Sequence, residues 1–405
     1  MTDLSFQPDA NACTACGCPG MEVFHSVDRV PVHSTLLMRT REEAVGYTRG
    51  DIRLALCPWC GFIRNVAYDP SLQEYCGRIE ETQAFSATFN AFHHRLAESL
   101  VARHDLAGKT ILEIGCGKGE FLNLLCRLGG CRGVGFDPAV VPERNQSGTG
   151  DVSFIADFYS ERHASYEADF VVCKMTLEHI RDAASFTALA LQRNAPTFFM
   201  VPNAELVLTE TAFWDVYYEH CSYFTPGALA RLFRSQGWEV TNLRTEYGDQ
   251  YLVIEARPGA GENRSVMPLE STLAETRAQV AGFRSNSVRA IADWRRRAEM
   301  LHGGKPWVLW GGGSKAVAFL SALGSDAAGV AAAVDINPYK HGCYLPGSGI
   351  PVVGPEALRS LRPANVVVMN PIYLREVEAE LARLGVHATV EALESAAVGN
   401  EVMEP

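Results

Sequence analysis

The first residues along the chain that could do chemistry are four cysteines in two close pairs. Cys13 and Cys16 lie in ACTACGC, and Cys57 and Cys60 lie in LCPWCGF. Two residues between cysteines let both sulfurs converge on one ion, and two such pairs complete the tetrahedral thiolate set that Zn²⁺ prefers. Two disulfides or a redox dithiol are the alternatives, but a chain without an export signal favours metal. We predict a structural zinc on these four sulfurs, with Cys18 left over or replacing Cys16.

A glycine-rich turn is the second feature. In ILEIGCGKGEFL, Gly115, Gly117 and Gly119 follow an apolar strand, where the chain must turn sharply and let a ligand touch its backbone. The turn is not a Walker loop, because Lys118 is followed by glycine rather than by Ser or Thr. A turn without a ligand, or one that binds NAD, remains an alternative.

Acidic residues accompany this turn. Glu113 lies inside the strand, Asp137 ends the next strand GVGFD, and Asp157 lies at the end of the third, VSFIADF. Carboxylates at the ends of parallel strands can accept hydrogen bonds from a ribose diol and from an adenine amino group. The pattern therefore predicts a nucleoside-containing cofactor.

Polar and aromatic side chains crowd the following strand ends. CKMTLEHI places Glu178 and His179 at the carboxyl edge of the sheet, and TFFMVPN places Asn203 nearby. The run FWDVYYEHCSYFTPGAL then supplies further candidates, namely Tyr217, Tyr218, Glu219, His220 and Tyr223. A single histidine in an aromatic run is often a hydrogen-bonded core residue, but its place after the last strand of the edge favours acid–base chemistry.

A second glycine turn lies near the C-terminus. Gly311, Gly313 and Ala316 follow the strand WVLW, and Asp335 ends the strand AAAV, which satisfies the loose form of a dinucleotide fingerprint. Lys315 lies within this turn, and a cation beside a glycine turn suits a phosphate. We favour a phosphate clamp over an NAD site, while a domain that only packs remains an alternative.

These residues imply three regions in an α/β chain. We predict a zinc-binding domain at 1–78, a central doubly wound Rossmann-like domain at 79–258, and a helical linker with a C-terminal Rossmann-like domain at 259–405. The central region carries the strands TILEIGC, GVGFD, VSFIADF, ADFVVCKM and TFFMVPN, with the helix EFLNLLCRLG between the first two.

Composition limits the classes of partner that the chain can bind. The formal net charge of −11 argues against nucleic acid, because phosphate backbones require a basic surface. No run of about 18 apolar residues indicates a membrane span, and MTDLSFQPDANAC lacks the features of a secretory signal. We expect a cytoplasmic protein with a small-molecule partner.

Taken together, the motifs resemble a known family. The glycine turn with its acidic strand ends resembles class I S-adenosylmethionine-dependent methyltransferases. The two cysteine pairs, EIGCGKGEFL, YYEHCSYFT, GGGSK and VDINPYKHGCYLPGSGIPVVGPEAL resemble the deoxysugar C-methyltransferases, notably the tetronitrose C-3'-methyltransferase family, over nearly the whole chain. Tyr218 stands where that family usually has histidine.

The resemblance implies roles for these residues. S-adenosylmethionine would lie on Gly115, Gly117 and Gly119, with its ribose on Asp137 and its adenine beside Asp157 and Phe158. Glu113 completes the cofactor-binding set.

The resemblance also implies a reaction, C-methylation of a nucleotide-linked keto-sugar next to its carbonyl. His220 would be the general base, assisted by Tyr217 and Glu219, with His179 close to the sugar. The substrate and its phosphates would be held by a further set, namely Lys315, Tyr218, Tyr223 and Asn203.

Other functions stay open at this point. The acceptor atom could be oxygen or nitrogen on another small biosynthetic intermediate. Lower-ranked alternatives are an NAD-dependent enzyme and an inactive zinc-bearing binding protein.

Overall fold

Three β-sheets, each with its own helices, make up the architecture. The computed structural model describes residues 12–141, 144, 151–163, 165–192, 194–259, 265–302 and 305–394. Within those ranges, no helix combines the length and the apolar character of a membrane span.

The first sheet is antiparallel. It contains β1 (Glu22–Pro31), β2 (Arg49–Leu56), β3 (Ile63–Asn65) and β9 (Ser222–Tyr223), in the order β1-β2-β3-β9. Strand β9 comes from much later in the chain and pairs antiparallel with β3. The first sheet is thus completed by residues that the sequence assigned to the central region.

The central sheet has seven strands: β4 (Thr110–Ile114), β5 (Arg132–Phe136), β6 (Val152–Ile155), β7 (Phe170–Lys174), β8 (Thr197–Pro202), β10 (Trp238–Glu246) and β11 (Tyr251–Pro258). Their order is β10-β11-β8-β7-β4-β5-β6. The five strands from β8 to β6 are parallel, and β11 joins β8 antiparallel. The Rossmann-like α/β class predicted from the sequence is confirmed here.

Alternating side chains give this sheet an apolar layer on each face. On β4, Leu112 and Ile114 pack into one layer and Ile111 packs into the other. By the same alternation, Glu113 points to the face of Ile111. Strands buried on both faces are expected in a parallel sheet covered by helices.

The third sheet is parallel throughout. It contains β12 (Trp307–Trp310), β13 (Val330–Val334), β14 (Val352–Val353), β15 (Asn365–Val368) and β16 (Thr389–Ala392), in the order β14-β13-β12-β15-β16. From β12 the chain adds β13 on one side and β15 on the other. This reversal of strand order opens a crevice at the carboxyl ends of the strands.

The described α-helices are α1 (Arg41–Gly46), α2 (Ala87–His104), α3 (Glu120–Gly129), α4 (Ala183–Leu191), α5 (Ala204–Thr209), α6 (Pro226–Ser235), α7 (Leu273–His302), α8 (Ser314–Leu323), α9 (Leu358–Leu361) and α10 (Leu374–Leu384). Helix α7 has 30 residues, which at 1.5 Å per residue is about 45 Å. It joins the central sheet to the third sheet and packs on α5.

Candidate active site where the three sheets meet

The four predicted zinc ligands come together. Their sulfurs lie within 4.8 Å of one another, with 3.6 Å between Cys13 and Cys60 and 3.6 Å between Cys16 and Cys57. Tetrahedral zinc, with Zn–S bonds of about 2.3 Å, places sulfurs about 3.8 Å apart. The donor set therefore fits Zn²⁺, and Cys18 lies outside the cluster.

Backbone hydrogen bonds shape both cysteine pairs. The amide of Gly17 donates to the carbonyl of Cys13 at 2.7 Å, and the amide of Cys57 donates to Phe62 at 2.8 Å. Hydrogen bonds from the neighbouring thiols of Cys13 and Cys60 hold the pKa of Cys57 well below its usual value, which favours a thiolate. Four sulfur ligands would leave no open position, so a metal here would be structural.

A single continuous cavity of about 1390 Å³ connects the three sheets. It reaches the glycine turn after β4 and the second glycine turn after β12. It also reaches His179, which follows β7, and His220, which precedes β9. Pockets for drug-sized ligands span roughly 300–1,000 Å³. This cavity has room for a cofactor together with a sizeable acceptor.

Gly115 is the residue on which the first turn depends. Its φ is +73°, and a Cβ on it would lie 1.9 Å from Oγ1 of Thr176. Only glycine fits, because the backbone is left-handed and packs directly against Thr176. The turn can therefore pack directly against Thr176 at the edge of the cavity.

Asp137 supports the same turn from β5. Its Oδ2 accepts from the amide of Gly117 at 2.9 Å, and its Oδ1 accepts from the amide of Ala139 at 2.7 Å. Burial raises the pKa of Asp137, although these two amides oppose that shift. A carboxylate can accept about four hydrogen bonds, so two positions remain for a ribose diol. The residues fit the nucleoside part of S-adenosylmethionine.

The other predicted cofactor residues are placed differently. Asp157 and Phe158 line the cavity, but Asp157 is paired with Arg162 at 2.6 Å and the Phe158 side chain is 57% exposed. Glu113 is buried beneath the turn, and Gly119 is the N-cap of α3. Neither of these two is among the residues that line the cavity.

Two histidines, His179 and His220, line the cavity side by side. Their rings meet edge to face with centroids 4.9 Å apart. His179 donates through Nδ1 to the carbonyl oxygen of Glu219 at 2.9 Å, which leaves Nε2 unprotonated in the neutral ring. His220 uses Nε2 to bond the hydroxyl of Tyr217 at 2.9 Å. Burial lowers the pKa of both rings, that of His220 most strongly, so both are neutral bases at pH 7.

Glu219 is fixed by residues that the sequence did not single out. Its carboxylate accepts from the backbone amide of Ser34 at 3.0 Å, from the Ser34 hydroxyl, and from Nδ1 of His33 at 3.4 Å. Burial alone would raise the pKa of Glu219, but these hydrogen bonds outweigh it and hold the pKa below its usual value. Glu219 is therefore an anion that orients the loop carrying His220.

Ser34 also reaches the third sheet. Its hydroxyl lies 2.7 Å from that of Ser314, the first residue of α8. Because a hydroxyl carries one proton, Ser34 donates to Glu219 and accepts from Ser314. One side chain thus joins the three parts of the chain beside the histidines. No local pattern in RVPVHSTLL predicts that Ser34 contacts Glu219 and Ser314.

The residues predicted to hold substrate are separated by the structure. Lys315 lines the cavity and pairs with Asp215 at 2.8 Å. Asn203 also lines it, but both ends of its side chain bond backbone groups, the amide of Glu205 and the carbonyl of Asp249.

Tyr218 and Tyr223 do not line the cavity. The hydroxyl of Tyr218 accepts from the amide of Asp69 at 2.8 Å, and its ring packs beside Tyr68 under the first sheet. Tyr223 belongs to β9. Because β9 pairs with the first sheet, both rings are drawn into the core of that sheet instead of towards a ligand.

Two family models match the chain. A methyltransferase domain covers residues 81–243, and a C-methyltransferase C-terminal domain covers residues 259–388. The C-methyltransferase NovU of Streptomyces niveus is 27% identical over 370 residues, which is 85% of this chain and 86% of that protein. The chain is an S-adenosylmethionine-dependent methyltransferase.

Solved structures also align with this methyltransferase. The 1,6-didemethyltoxoflavin-N1-methyltransferase of Burkholderia thailandensis is 18% identical, with a TM-score of 0.35, over 43% of this chain and 81% of its own. The magnesium protoporphyrin IX methyltransferase of Synechocystis PCC 6803 is 16% identical, with a TM-score of 0.36, over 44% and 90%.

Within this methyltransferase, the second glycine turn belongs to the region matched by the C-methyltransferase C-terminal domain. Asp335 there accepts from the amide of Gly312 at 2.9 Å and from Nζ of Lys340 at 3.0 Å. The acidic residue that would bind a ribose in an NAD site is thus already paired with a cation.

Proposed function

We propose that this methyltransferase adds a methyl group to the carbon next to the carbonyl of a nucleotide-linked keto-deoxysugar, with His220 as the general base. The observation that carries the proposal is the position of His220. Its neutral, buried ring lies in a cavity that extends from the turn at Gly115 to the turn at Gly313. A base between a methyl donor and a bound ketone is what C-methylation requires.

Bound S-adenosylmethionine supplies an electrophilic methyl group on a positively charged sulfur. The chain's own residues then hold the acceptor and move its proton. Tyr217 bonds Nε2 of His220, and Nδ1 forms no hydrogen bond within the described ranges. With Nε2–H donating to the tyrosine hydroxyl, Nδ1 is free to take the proton. The enolate formed in this way would be the nucleophile for methyl transfer, and the residues that hold the acceptor would orient its carbon towards the cofactor site.

The third sheet supports a nucleotide-linked acceptor. Ser314 begins α8, and the N-terminus of this ten-residue helix faces the cavity together with Lys315. A helix N-terminus and a lysine together favour an anion. Asp215, which pairs with Lys315, would be displaced from that lysine by a phosphate.

The decisive experiment combines the enzyme, labelled S-adenosylmethionine and a panel of nucleotide-linked keto-sugars. We expect label transfer, and NMR of the product should show a methyl group bonded to carbon. A product methylated on oxygen or nitrogen would support the alternative acceptor chemistry and refute the base role. Absence of S-adenosylhomocysteine binding by calorimetry would contradict the cofactor site at Gly115 and Asp137.

His220→Asn tests the base directly. Loss of a general base typically costs 10²–10⁴-fold in rate, so we expect kcat to fall by about that factor while S-adenosylhomocysteine binding is kept. Tyr217→Phe is the matched variant, because it leaves the imidazole in place and removes only its partner. Near wild-type turnover in His220→Asn would show that the base is another group.

A further inference from the structure

Glu178 is a buried acid that the proposed mechanism does not yet use. It lies in the short turn Leu177–His179, directly after β7. The residue is 1% exposed, and neither carboxyl oxygen has a hydrogen-bond partner in another described residue. An unpartnered buried carboxyl costs free energy, and a ligand bound in the cavity would supply the missing hydrogen bond.

The position of Glu178 suggests that partner. Glu178 lines the cavity, and one of its oxygens, a ring nitrogen of His179 and a ring nitrogen of His220 lie within 4.8 Å of one another. An acceptor group that lies between these atoms is within reach of both His220 and Glu178. A ketone presents two reacting positions close together, the carbon-bound proton and the carbonyl oxygen.

The charge state of Glu178 suits an interaction with the carbonyl oxygen. Burial raises the pKa of Glu178 to about 8, with Lys174 acting in the opposite direction. The groups whose electrostatics involve this carboxyl are Lys174, Cys173, Tyr217, Cys221 and Tyr251, together with the two histidines of the cluster. At pH 7 the acid is therefore mostly a neutral O–H donor beside two neutral imidazoles.

We propose that Glu178 is a catalytic residue that donates a hydrogen bond from its carboxylic acid to the carbonyl oxygen of the acceptor. The proposal rests on the proposed function. As His220 takes the proton, the C–H electron pair forms the enolate double bond and negative charge develops on the oxygen. Glu178 holds that charge. When the enolate carbon bonds the methyl group, the C–S pair leaves to sulfur, the carbonyl re-forms, and Glu178 keeps its proton.

Two substitutions separate the donor from the space it fills. In Glu178→Gln an amide N–H can still donate, whereas Glu178→Ala removes the donor. Loss of one donor to a developing oxyanion costs about 10²–10³-fold in kcat. We expect that loss in Glu178→Ala with KM changed only a few-fold, and a smaller loss in Glu178→Gln.

The pH dependence of kcat distinguishes a catalytic role of Glu178 from a structural one. The protonated form of Glu178 is the active one, so wild-type kcat should decline as pH rises through about 8. In Glu178→Gln this decline should disappear, because the amide does not titrate. A group that only supported the fold would not move this limb of the profile, so Glu178→Gln decides the matter even if Glu178→Ala fails to fold.

Proton exchange keeps this proposal distinguishable from the proposed function. Incubation of the keto-sugar in D₂O, with S-adenosylhomocysteine replacing the methyl donor, measures enolate formation alone. If wild-type enzyme exchanges no proton, the proposed function falls and the Glu178 role falls with it. If Glu178→Ala exchanges as fast as wild type, only the Glu178 role is refuted. A second divalent metal ion per chain, present in wild type and lost in Glu178→Ala, would also refute it, since Glu178 would then be a metal ligand.

Discussion

Gly115→Ala should disable cofactor binding, and the cost can be worked out from the turn itself. A left-handed residue other than glycine costs about 1–2 kcal/mol, and φ at Gly115 is +73°. The new Cβ would also lie 1.9 Å from Oγ1 of Thr176 and 2.8 Å from its Cβ. Overpacking of this kind costs about 1–3 kcal/mol. The sum is about 2–5 kcal/mol, or a shift of the turn away from Thr176.

Gly108→Ala is a matched control for this prediction. Gly108 has nearly the same φ, +72°, but a Cβ there meets nothing within 4 Å. It should therefore lose only the backbone contribution of about 1–2 kcal/mol and keep cofactor affinity. Urea unfolding gives the two stabilities, and calorimetry with S-adenosylhomocysteine gives the affinities. Equal stability and equal affinity of the two variants would refute the reasoning.

Three further predictions concern metal, pH and stability. The purified protein should contain about one zinc per chain by elemental analysis. Cys57→Ser should lose this zinc and unfold at a lower urea concentration than wild type. A wild-type protein that contains no metal and is no more stable than Cys57→Ser would contradict the zinc site. Because burial holds the pKa of His220 well below 6.5, the acid limb of kcat/KM should lie below that pH, and a limb above it would contradict a buried base. Glu255 is 4% exposed at its side chain and pairs with Arg103 and His104 at 2.8 Å, so Glu255→Gln should cost about 3–5 kcal/mol near pH 7. Burial opposes ionisation of Glu255, but hydrogen bonds led by the one to His104 lower its pKa from 4.5 to about 2. The stabilisation by the ionised carboxylate is therefore present above pH 4.5 and should fade towards pH 2. A cost of Glu255→Gln that is unchanged at pH 2 would contradict the ion-pair explanation.

Local sequence patterns predicted much of the central sheet and its turn. The helix EFLNLLCRLG is found as α3, because a glycine with positive φ precedes it and another ends it. The strand TILEIGC is found as β4, shortened by the turn at Gly115. Periodicity and glycine placement are local properties, and local properties can be seen in a sequence.

Long-range contacts could not be predicted in this way. His33 and Ser34 carry no motif, yet they hold Glu219 from 186 and 185 positions away. The family resemblance implied that Tyr218 contacts substrate, but pairing of β9 with β3 places Tyr218 in the core of the first sheet. Asn203 did carry a usable local signal, since an asparagine before AELVLT is a typical N-cap.

Pairing of residue 64 with residue 222 also has a consequence for how this protein is made. At about 5–20 residues per second, the ribosome needs roughly 8–30 s to travel between those two positions. During that interval β3 has an unpaired edge, and unpaired edges attract other chains. We expect the nascent N-terminal segment to depend on the cysteine cluster, or on a chaperone, until its last strand emerges. Expression without added zinc should therefore increase the fraction of insoluble chains more than it lowers the activity of the soluble ones.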